Sequence, residues 1–351
     1  MKVLMIGCDE STKGGMWKVV DNYLTDARYG DKVDVEYIPT SITGDFWKKI
    51  LFTWLAYCKI LKRFIENKPD ILHVHMSERG SVFRKGIIMI AADLCGIKII
   101  LHMHGAEFEV WYRNSKCFMQ SLVKSIVNRA DKVIILGEYW KPFISTIYPI
   151  EDICVLHNAV EVPIENKYNT KSKDILFLGV IGKRKGAYDL LYSFYNILNE
   201  LPQDVRLIYY GPNPENDLLD RIRKLNIETR VIYKGWLPDN QKASVFENVQ
   251  INVLPSYNEG LPMTILETMA YGIPNISTNV AAIPEVVNDT NGILINAGDT
   301  KQLSESIMEL INNSEERIKK SGNAYTTIKK QYSIDIHIDS ILKLYKDVLS
   351  K

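Results

Sequence analysis

The stretch VLPSYNEGLPMTILETMAYGIP, residues 253–274, contains the pattern that decides the fold of its half of the chain. It starts inside an apolar run, INVLPS (251–256), crosses a short polar loop and enters a helical pattern that stops at Gly272 and Pro274. A buried strand, a loop and a helix in this order form the repeating unit of a parallel α/β sheet. Glu259 is therefore expected in the loop at the carboxyl end of the strand, and Glu267 is expected inside the helix.

The start of this helix is a potential anion site. Pro262 suits the first turn, because its missing N–H would have no helical partner there. The backbone N–H groups around the helix start are expected to be free, and the helix dipole favours negative charge beside them. These groups belong to Gly260, Leu261, Met263 and Thr264. Two interpretations stay open: Glu259 is a capping acid and Glu267 a surface residue, or both carboxylates grip hydroxyls of a sugar nucleotide.

The same alternation of apolar runs and helical patterns extends over most of the 351 residues. A polar segment with Pro163 and no helical periodicity, residues 158–174, separates two series of strands. We therefore predict two doubly wound, Rossmann-like α/β domains that face a cleft. The predicted strands cover residues 2–7, 70–76, 98–105, 132–137, 153–158, 175–180, 205–211, 230–235, 251–256, 274–279 and 292–296.

Composition excludes several classes of protein. The net charge of +1 does not favour nucleic acid. Five scattered cysteines without a CxxC pair fit reduced thiols in the cytoplasm. The first residues, MKVLMIG, enter a strand-like run and lack signal-peptide architecture, and the longest apolar stretch is interrupted by Asp93 and Lys98. We expect a protein that is cytoplasmic or peripheral at the inner face of the cell membrane.

Positive charges follow the first strand of the second domain. Lys183, Arg184 and Lys185 precede a helical pattern in GVIGKRKGAYDLL (179–191). A charge run usually marks a solvated face. At the carboxyl end of a strand, however, these groups could neutralise phosphate and stabilise a leaving diphosphate.

EGLPMTILE (259–267) resembles the E-x7-E element of the family-4 retaining glycosyltransferases, which have the GT-B fold. Matching segments occur in the same order at KGWLPD (234–239), IPEVV (283–287) and NGILI (291–295). The resemblance implies that Glu259 contacts the donor sugar, that Glu267 holds the ribose and that the backbone of 260–264 meets sugar and phosphate. It also implies diphosphate binding by Lys185, before Gly186, and backbone contacts to the base around Trp236 and Leu237. In one departure from the family, Val180 stands where arginine is common, so Lys183 or Arg184 would supply that charge.

The first domain offers a glycine loop and four histidines. Gly14 and Gly15 precede a helical run and resemble the family loop that approaches the donor phosphate; they do not form the G-x-G-x-x-G fingerprint of nicotinamide binding. His73, His75, His102 and His104 suggest a metal site, but no carboxylate or cysteine completes a ligand pattern, so hydrogen-bonded structural roles are favoured. His104 resembles the active-site histidine that contacts the donor sugar, and nearby Glu107 is a candidate for the acceptor side.

The segment DFWKKILFTWLAYCKILKRFIENK (45–68) predicts an amphipathic helix. Bases fall on one side of its helical wheel and apolar residues, including Trp47, Ile50, Leu51, Trp54, Leu61 and Phe64, fall on the other. Two arrangements are open: the apolar stripe faces the core beneath a solvated basic face, or residues 46–65 lie at an anionic membrane surface. Both can hold if the helix flanks the acceptor cleft.

The function implied by the resemblance is a retaining, metal-independent hexosyltransferase without a cofactor. It would move sugar from a UDP- or GDP-linked donor to a lipid-linked or growing surface glycan. The expected domains are an acceptor-side domain (1–160), a nucleotide-sugar domain (161–328) and a terminal helix (329–351) that packs back on the first. The alternatives are a sugar-nucleotide epimerase or phosphorylase on the same fold, and a catalytically silent subunit of a transferase complex.

Overall fold

A computed structural model of the protein describes residues 1–12 and 15–350. The chain forms two compact units. Unit 1 contains Met1–Asn158 together with the residues from Ile334 onward, and unit 2 contains Ala159–Ser333. The division expected from the sequence places the boundaries after residues 160 and 328.

Unit 1 is built on a six-stranded parallel sheet with the strand order β2-β1-β3-β4-β5-β6. Its strands are β1 (Lys2–Gly7), β2 (Asp34–Pro39), β3 (Ile71–Met76), β4 (Lys98–Met103), β5 (Lys132–Ile135) and β6 (Ile153–Val155). The sequence did not predict β2, because DVEYIP mixes charged and apolar residues and lies at the sheet edge. The helices between them are α1 (Gly15–Thr25), α2 (Ala27–Lys32), α3 (Phe46–Glu66), α4 (Gly80–Leu94), α5 (Phe108–Arg113), α6 (Cys117–Val127) and α7 (Lys141–Ile144).

Unit 2 contains a second six-stranded parallel sheet, ordered β12-β11-β10-β7-β8-β9. The strands are β7 (Asp174–Leu178), β8 (Arg206–Tyr210), β9 (Val231–Tyr233), β10 (Val249–Leu254), β11 (Asn275–Thr278) and β12 (Gly292–Ile295). The helices are α8 (Ala187–Asn196), α9 (Leu218–Lys224), α10 (Asp239–Phe246), α11 (Met263–Ala270), α12 (Ile283–Val286), α13 (Thr300–Asn312) and α14 (Ser314–Gln331). Strand β10 is buried along its whole length, as a central parallel strand covered on both faces should be.

The last helix, α15 (Ile334–Leu349), belongs to unit 1. It begins later than the expected residue 329, because α14 continues to Gln331 inside unit 2. Two of its side chains form buried hydrogen bonds: His337 Nε2 with the Tyr23 hydroxyl (2.5 Å), and the Tyr345 hydroxyl with His73 Nδ1 (2.6 Å). These contacts attach α15 to α1 and to the central strand β3.

Helix α3 differs from one of its two expected arrangements. The core-facing interpretation is wrong for most of the apolar stripe, since Trp47 and Trp54 are 76% and 63% exposed and only Phe64 of the stripe residues named above is buried. The buried side of the helix consists of Ala56, Ile60 and Phe64. No helix within residues 1–12 and 15–350 has both the length and the apolarity needed to cross a bilayer.

In each sheet the chain reverses its direction of strand addition at one point, and ligands of doubly wound sheets bind at the carboxyl ends of strands there. The reversal lies between β7 and β10 in unit 2, and between β1 and β3 in unit 1. Lys185 follows β7 and Glu259 follows β10. The topology thus brings together two candidate site residues that are 74 positions apart.

Candidate functional site

Glu259 is a buried carboxylate held by two donors. Its side chain is 4% exposed, and Oε1 accepts hydrogen bonds from Lys185 Nζ (2.5 Å) and Ser256 Oγ (2.7 Å). A buried carboxylate needs such charge-assisted partners to stay ionised. No hydrogen bond to Oε2 is found among the described residues, which leaves this oxygen as a potential acceptor for a ligand hydroxyl.

Glu267 is held in a similar way from a different element. Lys242, on α10, donates to Glu267 Oε1 (2.7 Å) and lies 2.9 Å from Asp239 Oδ1. Burial alone would lower the pKa of Lys242, but the charge and hydrogen bond of Glu267 outweigh it and raise that pKa. The ammonium is therefore fixed beside Glu267, on the second turn of α11.

The basic loop after β7 is anchored to the glutamate loop. Arg184 Nη1 donates to the Asn258 carbonyl (2.9 Å), and the Tyr257 amide donates to the Arg184 carbonyl (2.8 Å). Gly186 has a φ of 66°, and a Cβ there would lie 2.1 Å from the Pro255 carbonyl oxygen. Only glycine fits this close approach, which positions Lys185 against the tip of β10.

The start of α11 lies between the two glutamates. The amides of Gly260, Met263 and Thr264 have no backbone acceptor within the described part of the chain. Pro262 is the N-cap residue with extended backbone, one position before the expected first turn. The Thr264 hydroxyl donates to the Leu178 carbonyl (3.1 Å), so it ties α11 to β7. The start of α11 therefore presents amides without a backbone partner, and anion binding there stays a prediction.

Three other candidates in unit 2 lie in different surroundings. Leu237 is buried in a small core cluster, so only its backbone could contact a ligand. Trp236 is partly exposed. Val180 is exposed, and no ion pair is found for nearby Lys183 among the described residues. Arg184 is already engaged, so Lys183 is the better candidate for the charge missing at Val180.

In unit 1, His104 directly follows β4 and is held by the end of β3. Its amide donates to the Met76 carbonyl (2.7 Å), and its Nε2 lies 2.9 Å from His75 Nδ1. Burial and then the charge of Lys85 lower the pKa of His104 to about 3. The imidazole is consequently neutral at physiological pH. Gly15 begins α1, and Gly14 lies outside the described residues.

The histidines of β3 and β4 form a stack. His73, His75 and His102 each bring a nitrogen atom within 4.8 Å of the others, close enough to raise the question of a metal. The His73 ring, however, is only 21° from parallel to His75 and 12° from parallel to His102. A ring nitrogen binds metal in the plane of its ring, and stacked parallel planes share no such point. The geometry favours structural imidazoles, and the absence of a metal cofactor stays a prediction.

Glu107, the acceptor-side candidate, pairs with Arg79 (3.2 Å) at the surface. Arg79 adopts a φ of 59°, which is unusual for a residue with a side chain. A carboxylate in an exposed ion pair is weakly held, so Glu107 remains accessible to a polar partner.

Sequence reasoning missed two residues that hold the glutamates. Ser256 lies three positions before Glu259 in the quoted stretch, and its hydroxyl could have been suspected from that spacing. Lys242 is 25 positions from Glu267, and only the packing of α10 beside α11 reveals the pair. No local pattern around Lys242 indicates its role.

Two family models match consecutive parts of the chain. "Glycosyltransferase Family 4" matches residues 23–162, and "Glycosyl transferases group 1" matches residues 158–327. The HepE protein of Anabaena, solved in complex with UDP, has a TM-score of 0.78 at 15% identity and covers 99% of this chain and 100% of its own. The two sheets therefore form the GT-B fold of glycosyltransferases.

Relatives of similar length agree with these matches. The UDP-Gal:alpha-D-GlcNAc-diphosphoundecaprenol alpha-1,3-galactosyltransferase of Escherichia coli is 27% identical, over 91% of this chain and 85% of its own. The N-acetyl-alpha-D-glucosaminyl L-malate synthase of Bacillus anthracis is 26% identical, over 80% and 75%. The chain belongs to the family-4 glycosyltransferases.

Proposed function

We propose that this glycosyltransferase is a retaining enzyme that transfers a hexose from a UDP- or GDP-linked donor to a glycan acceptor. The observation that carries the proposal is the pairing of two carboxylates with two ammonium groups on either side of the α11 start. A nucleotide diphosphate sugar has hydroxyls at both ends and phosphates between them, and this arrangement is complementary to it.

Each group has a defined task in this proposal. Oε2 of Glu259 accepts a hydrogen bond from a hydroxyl of the donor sugar. Glu267, held by Lys242, accepts hydrogen bonds from the ribose hydroxyls. Lys185 and the amides at the α11 start bind the diphosphate, with Lys183 adding charge. The base lies against the backbone at Trp236 and Leu237. Gly14 and Gly15 are assigned to the donor phosphate by their resemblance to the family loop alone.

Bond cleavage would leave negative charge on the departing diphosphate and positive charge on the sugar ring. Lys185 and the dipole of α11 stabilise the diphosphate without a metal ion, because both are fixed before the reaction begins. Neutral His104 contacts the donor sugar, where it can share a hydrogen bond without adding positive charge beside an oxocarbenium-like transition state. Retention follows if the acceptor hydroxyl forms its bond to the sugar on the face that the diphosphate leaves and gives its proton to the departing phosphate oxygen.

The acceptor is proposed to be a lipid-linked or growing surface glycan, with Glu107 on its side. Support comes from the E. coli relative, whose name specifies a diphosphoundecaprenol-linked acceptor. An enzyme that acts on a lipid-linked acceptor would work at the inner face of the cell membrane, which is where we propose that this protein acts.

The test is a panel of UDP- and GDP-sugars incubated with the purified chain, with release of the nucleotide diphosphate as the readout. The expected result is release from one donor class, unchanged by EDTA and reduced by at least about 100-fold in Glu259→Gln. The anomeric configuration of the product, read by NMR, should match that of the donor.

Other outcomes identify the alternatives. A changed sugar that stays on its nucleotide indicates an epimerase, and turnover that requires inorganic phosphate indicates a phosphorylase. If no donor binds or reacts and Glu259→Gln has no effect, the chain is a silent subunit and the proposal fails.

A further inference from the structure

Helix α3 carries an unusually large exposed apolar surface. Eight large hydrophobic side chains on this one helix are exposed: Phe46, Trp47, Ile50, Leu51, Trp54, Leu55, Leu61 and Ile65. Single exposed apolar residues are ordinary, but a contiguous set of this size marks an interaction surface. We call these eight residues the α3 apolar face.

The α3 apolar face has bases along one edge. With Trp54 at zero and about 100° per residue, its members cover an arc from about −80° to about 100°. Lys62, Lys48 and Lys59 follow at about 80°, 120° and 140° on the same wheel. The buried residues Ala56, Ile60 and Phe64 fall at about 200°, 240° and 280°, so Phe64 borders the apolar face, and Lys49, at about 220°, lies away from it. The helix thus presents a wide apolar face and a basic margin outward.

Neighbouring helices extend the apolar character. The Tyr57 hydroxyl of α3 donates to the Arg84 carbonyl of α4 (2.8 Å), and Ile126 of α6 packs closely on Gly86 of α4. The outer sides of these neighbours also expose large hydrophobic residues, namely Ile87, Ile90 and Leu94 on α4 and Phe118 and Leu122 on α6. The exposed apolar residues therefore recur on three adjacent helices of unit 1.

We propose that the α3 apolar face docks on the surface of an anionic lipid bilayer. Charge complementarity selects this partner: α3 contains five bases, of which Lys59, Lys62 and Arg63 pair with Glu36 or Glu66, and Lys48 on the basic margin has no ion pair among the described residues. Tryptophan and lysine beside aliphatic residues suit the boundary between headgroups and acyl chains. A second copy packed symmetrically on this face would bring the two basic margins together, which is unfavourable.

The docking surface is independent of the donor site, so it can be tested without turnover. The full chain is sedimented with vesicles of phosphatidylcholine alone or mixed with phosphatidylglycerol. We expect binding to the mixed vesicles that weakens as salt is added, because added ions screen the bases. Trp47→Ser/Trp54→Ser should weaken binding by more than about tenfold. Lys48→Gln should weaken it by about fivefold.

Matched controls lie in unit 2. Ile164 is 94% exposed and the Lys301 side chain is 87% exposed, so Ile164→Ser and Lys301→Gln remove comparable groups elsewhere. Both should bind vesicles like the parent protein. Circular dichroism and thermal unfolding, which need no substrate, show whether the α3 variants are folded.

Three results would overturn the proposal. The first is no binding to the mixed vesicles. The second is binding that none of the α3 substitutions changes. The third is a concentration-dependent dimer that Trp47→Ser/Trp54→Ser dissociates while vesicle binding is absent, which would assign the face to a second copy.

Discussion

Acid should unfold unit 1 before unit 2, because all six histidines of the chain lie in unit 1. Four of them, His73, His75, His102 and His337, are at most 5% exposed. Burial lowers the pKa of His73 to about 3 and that of His337 to about 4, and it holds the pKa values of His75 and His102 well below the ordinary value. These imidazoles stay neutral in the folded protein at pH 5.

The sign of the effect follows from proton binding. An unfolded imidazole with a pKa of about 6.5 takes up a proton below that pH, whereas the folded one does not. Stability is therefore complete above about pH 6.5 and falls as the pH drops through the range below it. At pH 5, about 1.5 units below the unfolded pKa, each histidine lowers the free energy of unfolding by about 2 kcal/mol, since one unit corresponds to about 1.36 kcal/mol. Four cost about 8 kcal/mol, which is comparable to the whole stability of a domain.

The assay is urea unfolding at a series of pH values from 8 to 5. Five of the six tryptophans lie in unit 1, so tryptophan fluorescence reports mainly on that unit, while circular dichroism follows both. The fluorescence transition should move to much lower urea as the pH falls, and a second transition from unit 2 should remain. Unit 2, without histidine, serves as the internal reference for the shared titration of carboxylates.

A single substitution makes the test sharper. Neither ring nitrogen of His102 has a hydrogen-bond partner in the described structure, so His102→Leu removes a titrating group without breaking a hydrogen bond. It should stabilise unit 1 at pH 5 relative to pH 8 by about 2 kcal/mol. The reasoning is refuted if the fluorescence transition shifts no more than that of unit 2, or if His102→Leu gives no relative gain at pH 5.

Three further predictions concern the catalytic region. Lys242→Met should raise the donor KM about tenfold in steady-state assays, since Glu267 loses a charge-assisted partner, whereas Lys224→Met at an exposed position of α9 should leave it unchanged. Gly186→Ala should lower the unfolding temperature and abolish donor binding in calorimetry, because its Cβ meets the Pro255 carbonyl; Gly182→Ala, with open space around it, should do neither. His75→Phe should lower kcat about tenfold with little change in donor KM, because His104 loses its partner; an equal rise in KM would argue against a positioning role.

The sequence predicted the fold well where strands are buried on both faces. Every strand predicted in unit 2 is present in the structure. Strands of a parallel sheet are buried on both faces, so they appear in the sequence as continuous runs of β-branched and other apolar residues. Strand β2 lacked that signature, since it is an edge strand with charged residues. The wheel of α3 located its apolar face but could not say what covers it, because periodicity records the pattern of side chains and not their partners.

The candidate site was predictable in part for a related reason. The positions of Lys185 and Glu259 at neighbouring strand ends follow from topology, so their meeting could be anticipated. The pairing of Lys242 with Glu267 depends on how two helices pack, which their sequences do not encode locally. The burial of His73 under Tyr345 likewise joins residues that are 272 positions apart.

The return of α15 to unit 1 has a consequence for synthesis. A ribosome completes Ala159–Ser333, which can fold as a continuous segment, before it makes the helix that covers Tyr23 and His73. We expect nascent unit 1 to leave Tyr23 and His73 uncovered until α15 has been made, even though its strands are made first.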